Sequence, residues 1–266
     1  MVRDITLGEY YFTDSAIHAL DPRTKLMGVL IYIISLFIIH NPILYLFSLA
    51  YILILYKIAK VPVSYLLRGL KGIIILLVFT FFFRLIATPG TTIVKWWVFD
   101  VTNQGVVKAI ALTSRIALMI VGASLLSYTS TPKSLADGLE KAFLFLKRIH
   151  VPIHEMTVII MIAFRFIPII IEELNVLIDA QSSRGIRFEN VGVIKKMKNM
   201  TRLLLPLFLS IIRKASDLAM AMETRGYTGR NEMSRMYPLK YTRSDYVAYM
   251  IIFLSFVVLV SLNFVV

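Results

Sequence analysis

Apolar runs alternate with basic segments along almost the whole of this chain, and that alternation restricts the fold more than any motif does. The runs are Leu26 to Ile39, Ile43 to Tyr56, Gly72 to Ala87, Gly105 to Tyr128 and Tyr246 to Val266. A soluble domain is about 45–50% apolar, whereas this chain reaches 58%, with a mean hydropathy of +0.76. The surplus needs lipid to cover it. The expectation is an all-α, polytopic membrane protein with about five transmembrane helices. The first two runs are short against the ~20 residues a bilayer requires. They span only if flanks such as Asp21 to Lys25 and Lys57 lie at the interface. His40-Asn41-Pro42 supplies the turn between them.

Topology follows from lysine and arginine. The formal net charge is +13. Arg3, Arg23 and Lys25 precede the first run, and Lys57, Lys60, Arg68 and Lys71 follow the second. The stretch Thr88 to Gln104 holds only Lys95, whereas Thr129 to Asp245 holds 18 basic residues. The positive-inside rule places the N-terminus in the cytoplasm, the Lys95 loop outside, 129–245 inside and the C-terminus outside, in a cell (plasma or inner) membrane. Membrane topology accounts for this charge better than a nucleic-acid partner does. The chain has no cysteine, which excludes disulfides, thiolate metal sites and a cysteine nucleophile. Residues 1–21 lack the apolar core of a secretory signal. Three parts follow: a membrane domain at 1–128, a cytosolic or interfacial helical domain at 129–245, and a C-terminal span at 246–266.

The 129–245 region reads as helical. Ser134 to Lys147 sets Leu135, Leu139, Ala142, Phe143 and Leu146 on one face, with Ser134 and Asp137 arranged like a capping box. Val151-Pro152 breaks that helix. Met156 to Ile171 is apolar enough for a span, but Arg165 and Pro168 interrupt it. It is expected as a helix buried between membrane and cytosolic layers.

Two further helices end alike. One runs through Glu172 and stops at Ser183-Arg184-Gly185; the other starts at Pro206 and stops at Thr224-Arg225-Gly226. The first sets Leu174, Leu177 and Ile178 on one face. The second carries Leu207, Ile211, Ala215, Leu218 and Met222 on one side. Each is roughly 25 Å long at ~1.5 Å per residue. The small residues Ala215, Ser216, Ala219 and Ala221 allow a close crossing. Arginine in a last turn favours the dipole's negative end, and glycine beyond it supplies a left-handed cap. Capping alone explains one such ending. Its repetition 41 positions on points to a paired device, since arginine grips carboxylates and carbonyls of a partner.

Arg165-Phe166-Ile167-Pro168, the stretch Ala180 to Gly185, and Ala221-Met222-Glu223-Thr224-Arg225-Gly226-Tyr227 resemble the transmembrane (T) component of energy-coupling factor (ECF) type ABC transporters, which includes the Q component of cobalt importers. Asp21 to Leu26, Ser114-Arg115 and Thr129 to Pro132 fit the same pattern, so the likeness runs from about Asp21 to Tyr227. Where the family often has Ala-Arg-Gly, this chain has Ser183. The resemblance implies a non-catalytic scaffold with two crossed coupling helices. Their tips dock on two cytosolic ABC ATPases and relay ATP-driven motion to a small membrane substrate-binding S component, for uptake of a vitamin or transition-metal ion. It implies docking roles for Arg184 and Arg225, shaped by Ser183, Gly185, Glu223, Gly226 and Tyr227, with Leu174, Leu177, Ala215, Ala219 and Met222 packing the helices. No cofactor is implied for the chain itself, ATP being bound by the partners.

Other constellations are weaker. His150 and His154 have Pro152 between them and lack the His-Glu-x-x-His order, so no metal site is expected. Glu172-Glu173 has no arginine in place for an intramembrane protease. No phosphate-binding loop occurs. Arg84 lies near a span end and can snorkel, whereas Arg115 lies deeper and is expected to face protein. Trp96 and Trp97 suit an interfacial aromatic belt. A stand-alone carrier or channel is the alternative, with only Arg84 and Arg115 available to line a path.

Overall fold

The computed structural model describes residues 10–39, 41–96, 99–142, 153–186, 192–227 and 240–265. These form nine helices and one two-stranded hairpin, within two compact units. One unit comprises 8–142 and 239–266; the other comprises 1–7 and 143–238.

The first unit holds the apolar runs. α1 (Pro22–Ile38) starts at Asp21, whose carboxylate accepts from Arg23 N at 2.9 Å, with Pro22 in the first turn. α2 (Leu44–Ile58), α3 (Val63–Lys71) and α4 (Ile74–Ala87) follow. α5 (Asn103–Thr129), α6 (Pro132–Ala142) and α9 (Arg243–Val265) complete it. α5 and α9 are long and apolar enough to cross a membrane, and α3 with α4 pass together but meet at 66°. α1 and α2 have 17 and 15 residues, about 26 and 23 Å at ~1.5 Å per residue. They fall short of a ~30 Å hydrocarbon core.

Leu36, Ile39, Ile52, Tyr56, Leu118, Val121 and Tyr128 form the buried core. Phenol hydroxyls in that core find backbone acceptors: Tyr56 donates to Val121 O at 3.1 Å and Tyr128 to Tyr65 O at 3.1 Å. Tyr32 fits because α5 has Gly122 opposite; a Cβ there would lie 2.7 Å from the ring. Lys25 Nζ donates to Thr129 O at 2.8 Å and His18 O at 3.0 Å, so the first turn of α1 closes the C-terminal end of α5. At the other end of α1, Arg115 Nη2 donates to Ile39 O at 2.7 Å and its Nε to Tyr45 Oη at 2.9 Å. Arg115 faces protein, as expected, and satisfies a carbonyl orphaned where α1 stops. Arg84 is exposed on α4.

Asp245, in the first turn of α9, is fully buried. It accepts from Asp21 N at 2.8 Å, Thr24 Oγ1 at 3.1 Å, Thr242 N at 2.8 Å and Thr242 Oγ1 at 2.7 Å. One carboxylate therefore caps α9 and bonds the residue before α1.

Two expectations change in this unit. The loop after α4 contains an antiparallel hairpin, β1 (Thr92–Trp96) and β2 (Phe99–Thr102), which pairs Trp96 with Phe99. The β-branched residues Thr92, Ile93, Val94 and Val101 favour that conformation. Trp97 lies outside the described residues. The side chain accepting from the first turn of α6 is Thr131, with Oγ1 3.3 Å from Ser134 N, in place of the expected Ser134–Asp137 box. Residues 143–152, including His150 and Pro152, lie outside the described residues.

The second unit contains α7 (Ile153–Ser183) and α8 (Val193–Thr224), of 31 and 32 residues. The sequence reading broke the first at Pro168 and began the second at Pro206. Both prolines lie inside continuous helices. An interior proline forfeits one i→i−4 bond, whereas ending and restarting a helix leaves four carbonyls and four amides without helical partners. The helices thus measure about 47 Å rather than 25 Å. Met156, Ile159 and Ile160 are not covered by the described residues of this chain.

Candidate functional site: two arginine-capped helix ends

Residues 181–186 and 222–227 close their helices by the same bonds. In α7, Ile186 N donates to Gln181 O at 3.1 Å and Gly185 N to Ser182 O at 2.9 Å. In α8, Tyr227 N donates to Met222 O at 2.9 Å and Gly226 N to Glu223 O at 2.9 Å. A six-to-one bond enclosing a five-to-two bond defines the Schellman motif, which requires a left-handed residue just past the cap. Gly185 at φ +86° and Gly226 at φ +74° fill that position. α2 closes in the same pattern with Lys60 at φ 54°, so the fold does not need glycine for every such turn.

Arg184 and Arg225 are therefore the cap residues, one position beyond the last helical turn in which they were expected. Both are exposed, as are Ser183, Gly185, Glu223 and Gly226, while Tyr227 is half-buried. The hydroxyls just before them fold back: Ser183 Oγ donates to Asp179 O at 3.0 Å and Thr224 Oγ1 to Ala221 O at 3.1 Å. Neither guanidinium has a hydrogen-bond or ion-pair partner among the described residues. Each is a free cation at the carbonyl end of a helix, where the dipole favours positive charge.

α7 and α8 are joined by a polar lock that the sequence reading missed. Lys214 Nζ lies 2.7 Å from Glu173 Oε2, and Ser210 Oγ donates to Glu173 Oε1 at 2.8 Å. The lysine contact first, and the serine bond second, hold the Glu173 carboxyl below its ordinary pKa. Beside the lock, Leu174 faces Met200, Leu203, Leu204 and Leu207 across a 460 Å³ groove. Ala215 and Ala219, expected at the crossing, are exposed, and Leu177 and Met222 are half-buried. The described contact lies nearer the helix middles, because an ion pair and a leucine cluster join the helices there. A signal was present: Glu173 and Lys214 are 41 positions apart, as are Arg184 and Arg225. Equivalent positions of the two helices are paired, and each lies eleven residues, about 17 Å, before its arginine.

No cluster of three metal-ligating side chains occurs among the described residues. His150 and the His154 side chain lie outside them.

The cobalt transport protein family model matches residues 13–236. The energy-coupling factor transporter transmembrane protein EcfT of Acidaminococcus fermentans is 37% identical over 263 residues, covering 99% of this chain and 98% of that protein. The protein of that name from Heliobacterium modesticaldum is 41% identical over 92% of each chain, and that from Ruminiclostridium cellulolyticum 38% over 99% and 100%. The chain belongs to the family of energy-coupling factor transporter transmembrane components. T components are membrane transport subunits and not enzymes, in keeping with a sequence that has no phosphate-binding loop. The all-α membrane architecture agrees with this membership, the short hairpin being its one departure among the described residues.

Proposed function

We propose that this T component couples two cytosolic ABC ATPases to a membrane S component through α7 and α8. Arg184 and Arg225 each dock on one ATPase, with Ser183, Gly185, Glu223, Gly226 and Tyr227 forming the surrounding tip. ATP-driven closure moves the two ends, and the helices carry that displacement to the S component, which delivers a vitamin or a transition-metal ion. The N-terminus and the arms lie in the cytoplasm and the C-terminus outside. The observation that carries this reading is the pair of identically capped helix ends, each presenting an arginine without a partner among the described residues, at a fixed distance from a shared lock. A helix of this length transmits a push along its axis, which a loop would dissipate. Arginine's planar fork suits the carboxylates and carbonyls of a docking groove.

The test is co-purification of the ATPase pair with the full chain, together with substrate uptake in cells. Arg184→Glu or Arg225→Glu alone should weaken ATPase recovery and uptake, and the double change should abolish both. Full assembly and uptake by the double variant would refute the docking role.

A further inference from the structure

The membrane unit contains a cavity of about 740 Å³ that plays no part in the proposed coupling. Its walls come from α1, α2, α5, α9 and the segment before α1. Tyr32, Ile52 and Leu125 form a buried floor, at 6%, 2% and 6% exposure. Ile54 on α2 and Val247 and Ile251 on α9 form lips that are 57%, 56% and 48% exposed. The cleft therefore opens sideways, between apolar helices and toward what surrounds them.

Its two ends differ. Tyr32, Tyr51 and Ile252 line one end, where no lining residue is charged. Lys25 and Arg243 line the other. Lys25 donates to two backbone carbonyls. Arg243 is exposed, with no hydrogen-bond or ion-pair partner among the described residues. From Lys25 to Tyr32 along α1, and from Arg243 to Ile252 along α9, the distance is about 11–14 Å. A slot that is apolar along its length and cationic at one end fits an amphiphile with an anionic head. A polar metabolite would find almost nothing to bond along the walls. Interiors pack densely and keep few large voids, and for a lateral cleft in a bilayer the filler at hand is an acyl chain.

We propose that this cleft binds one anionic glycerophospholipid, with an acyl chain between α2 and α9 over the Tyr32 floor and the phosphate beside Arg243 and Lys25. Each buried methylene and each cation near the headgroup favour retention.

The test is native mass spectrometry of the full chain released from phosphatidylcholine nanodiscs containing a minor share of phosphatidylglycerol. The parent should retain one phosphatidylglycerol in preference to phosphatidylcholine. Ala248→Phe, which plugs the slot from α9, should lose the retained lipid. Arg243→Gln should keep a lipid but lower the phosphatidylglycerol preference about fivefold, the effect of one cation near a headgroup. No retained lipid in the parent, full retention by Ala248→Phe, or an unchanged preference in Arg243→Gln would each overturn the proposal. If Ala248→Phe fails to fold, the exposed Arg243→Gln decides alone.

Discussion

Replacing Asp245 by asparagine changes one atom and removes one charge, at the point where α9 joins α1. An ionised carboxylate accepts about four hydrogen bonds and donates none. Asp245 uses all four, two from backbone amides and two from hydroxyls. An asparagine oxygen keeps two of these. Its NH₂ then faces one hydroxyl, which can rotate to accept, and one backbone N–H, which cannot. A buried amide left unpaired costs about 1–3 kcal/mol, and bonds to a charged acceptor exceed neutral ones by about 1 kcal/mol each. The sum is about 3–5 kcal/mol. In a domain of 150–250 residues, 1 kcal/mol moves the midpoint by about 2–4 °C, so a fall of roughly 10 °C is expected. Heating the full chain in detergent and following the monodisperse fraction measures it. Thr24→Val, which removes the 3.1 Å bond to Asp245 and the hydroxyl's contact with Tyr249, should cost about 1–2 kcal/mol. An Asp245→Asn midpoint within about 2 °C of the parent, or a Thr24→Val loss of equal size, would refute the reasoning.

Two further outcomes concern the arms. Alanine at Gly185 or Gly226 meets no atom within 4 Å, so its cost is the left-handed backbone alone, about 1–2 kcal/mol; amide exchange at Ile186 or Tyr227 should accelerate while α5 is unchanged, and equal exchange would contradict the cap geometry. Reversing either charge, Glu173→Lys or Lys214→Glu, should reduce uptake and the double exchange should restore much of it, unless the 2.7 Å pair does not join the helices.

The features legible in the sequence were those written locally. Apolar runs gave α5 and α9 as spans and α3 with α4 as a bent third, and Arg-Gly after an apolar helix gave both ends. Arg115 could be assigned to a protein-facing position because a charge midway along a lipid-facing helix is costly. What escaped needed knowledge of partners far along the chain. Pro168 and Pro206 read as boundaries when one residue's preference is weighed, but not when the groups exposed by two new helix ends are weighed against one lost bond. Alanines pointed to a crossing at 215–221, whereas Glu173, Ser210 and Leu203 fixed the contact from the side. In the sequence Asp245 marked only the end of the basic stretch. Its bonds to Asp21 and Thr24 span more than two hundred positions, and nothing near either residue signals them.

The Glu173–Lys214 pair lies eleven residues from each arginine. About such a pivot the two moment arms are equal, and neither end has mechanical advantage over the other. A given stroke at one tip is worth the same stroke at its twin, so geometry alone does not rank them. Any inequality in what the tips do must come from their chemistry, which differs at Gln181 against Met222, Ser182 against Glu223, Ser183 against Thr224 and Ile186 against Tyr227. Eleven residues is also close to three whole turns. The Cα of each arginine thus lies near the azimuth of the lock residue on its own helix, and rotation of a helix about its axis would turn both together.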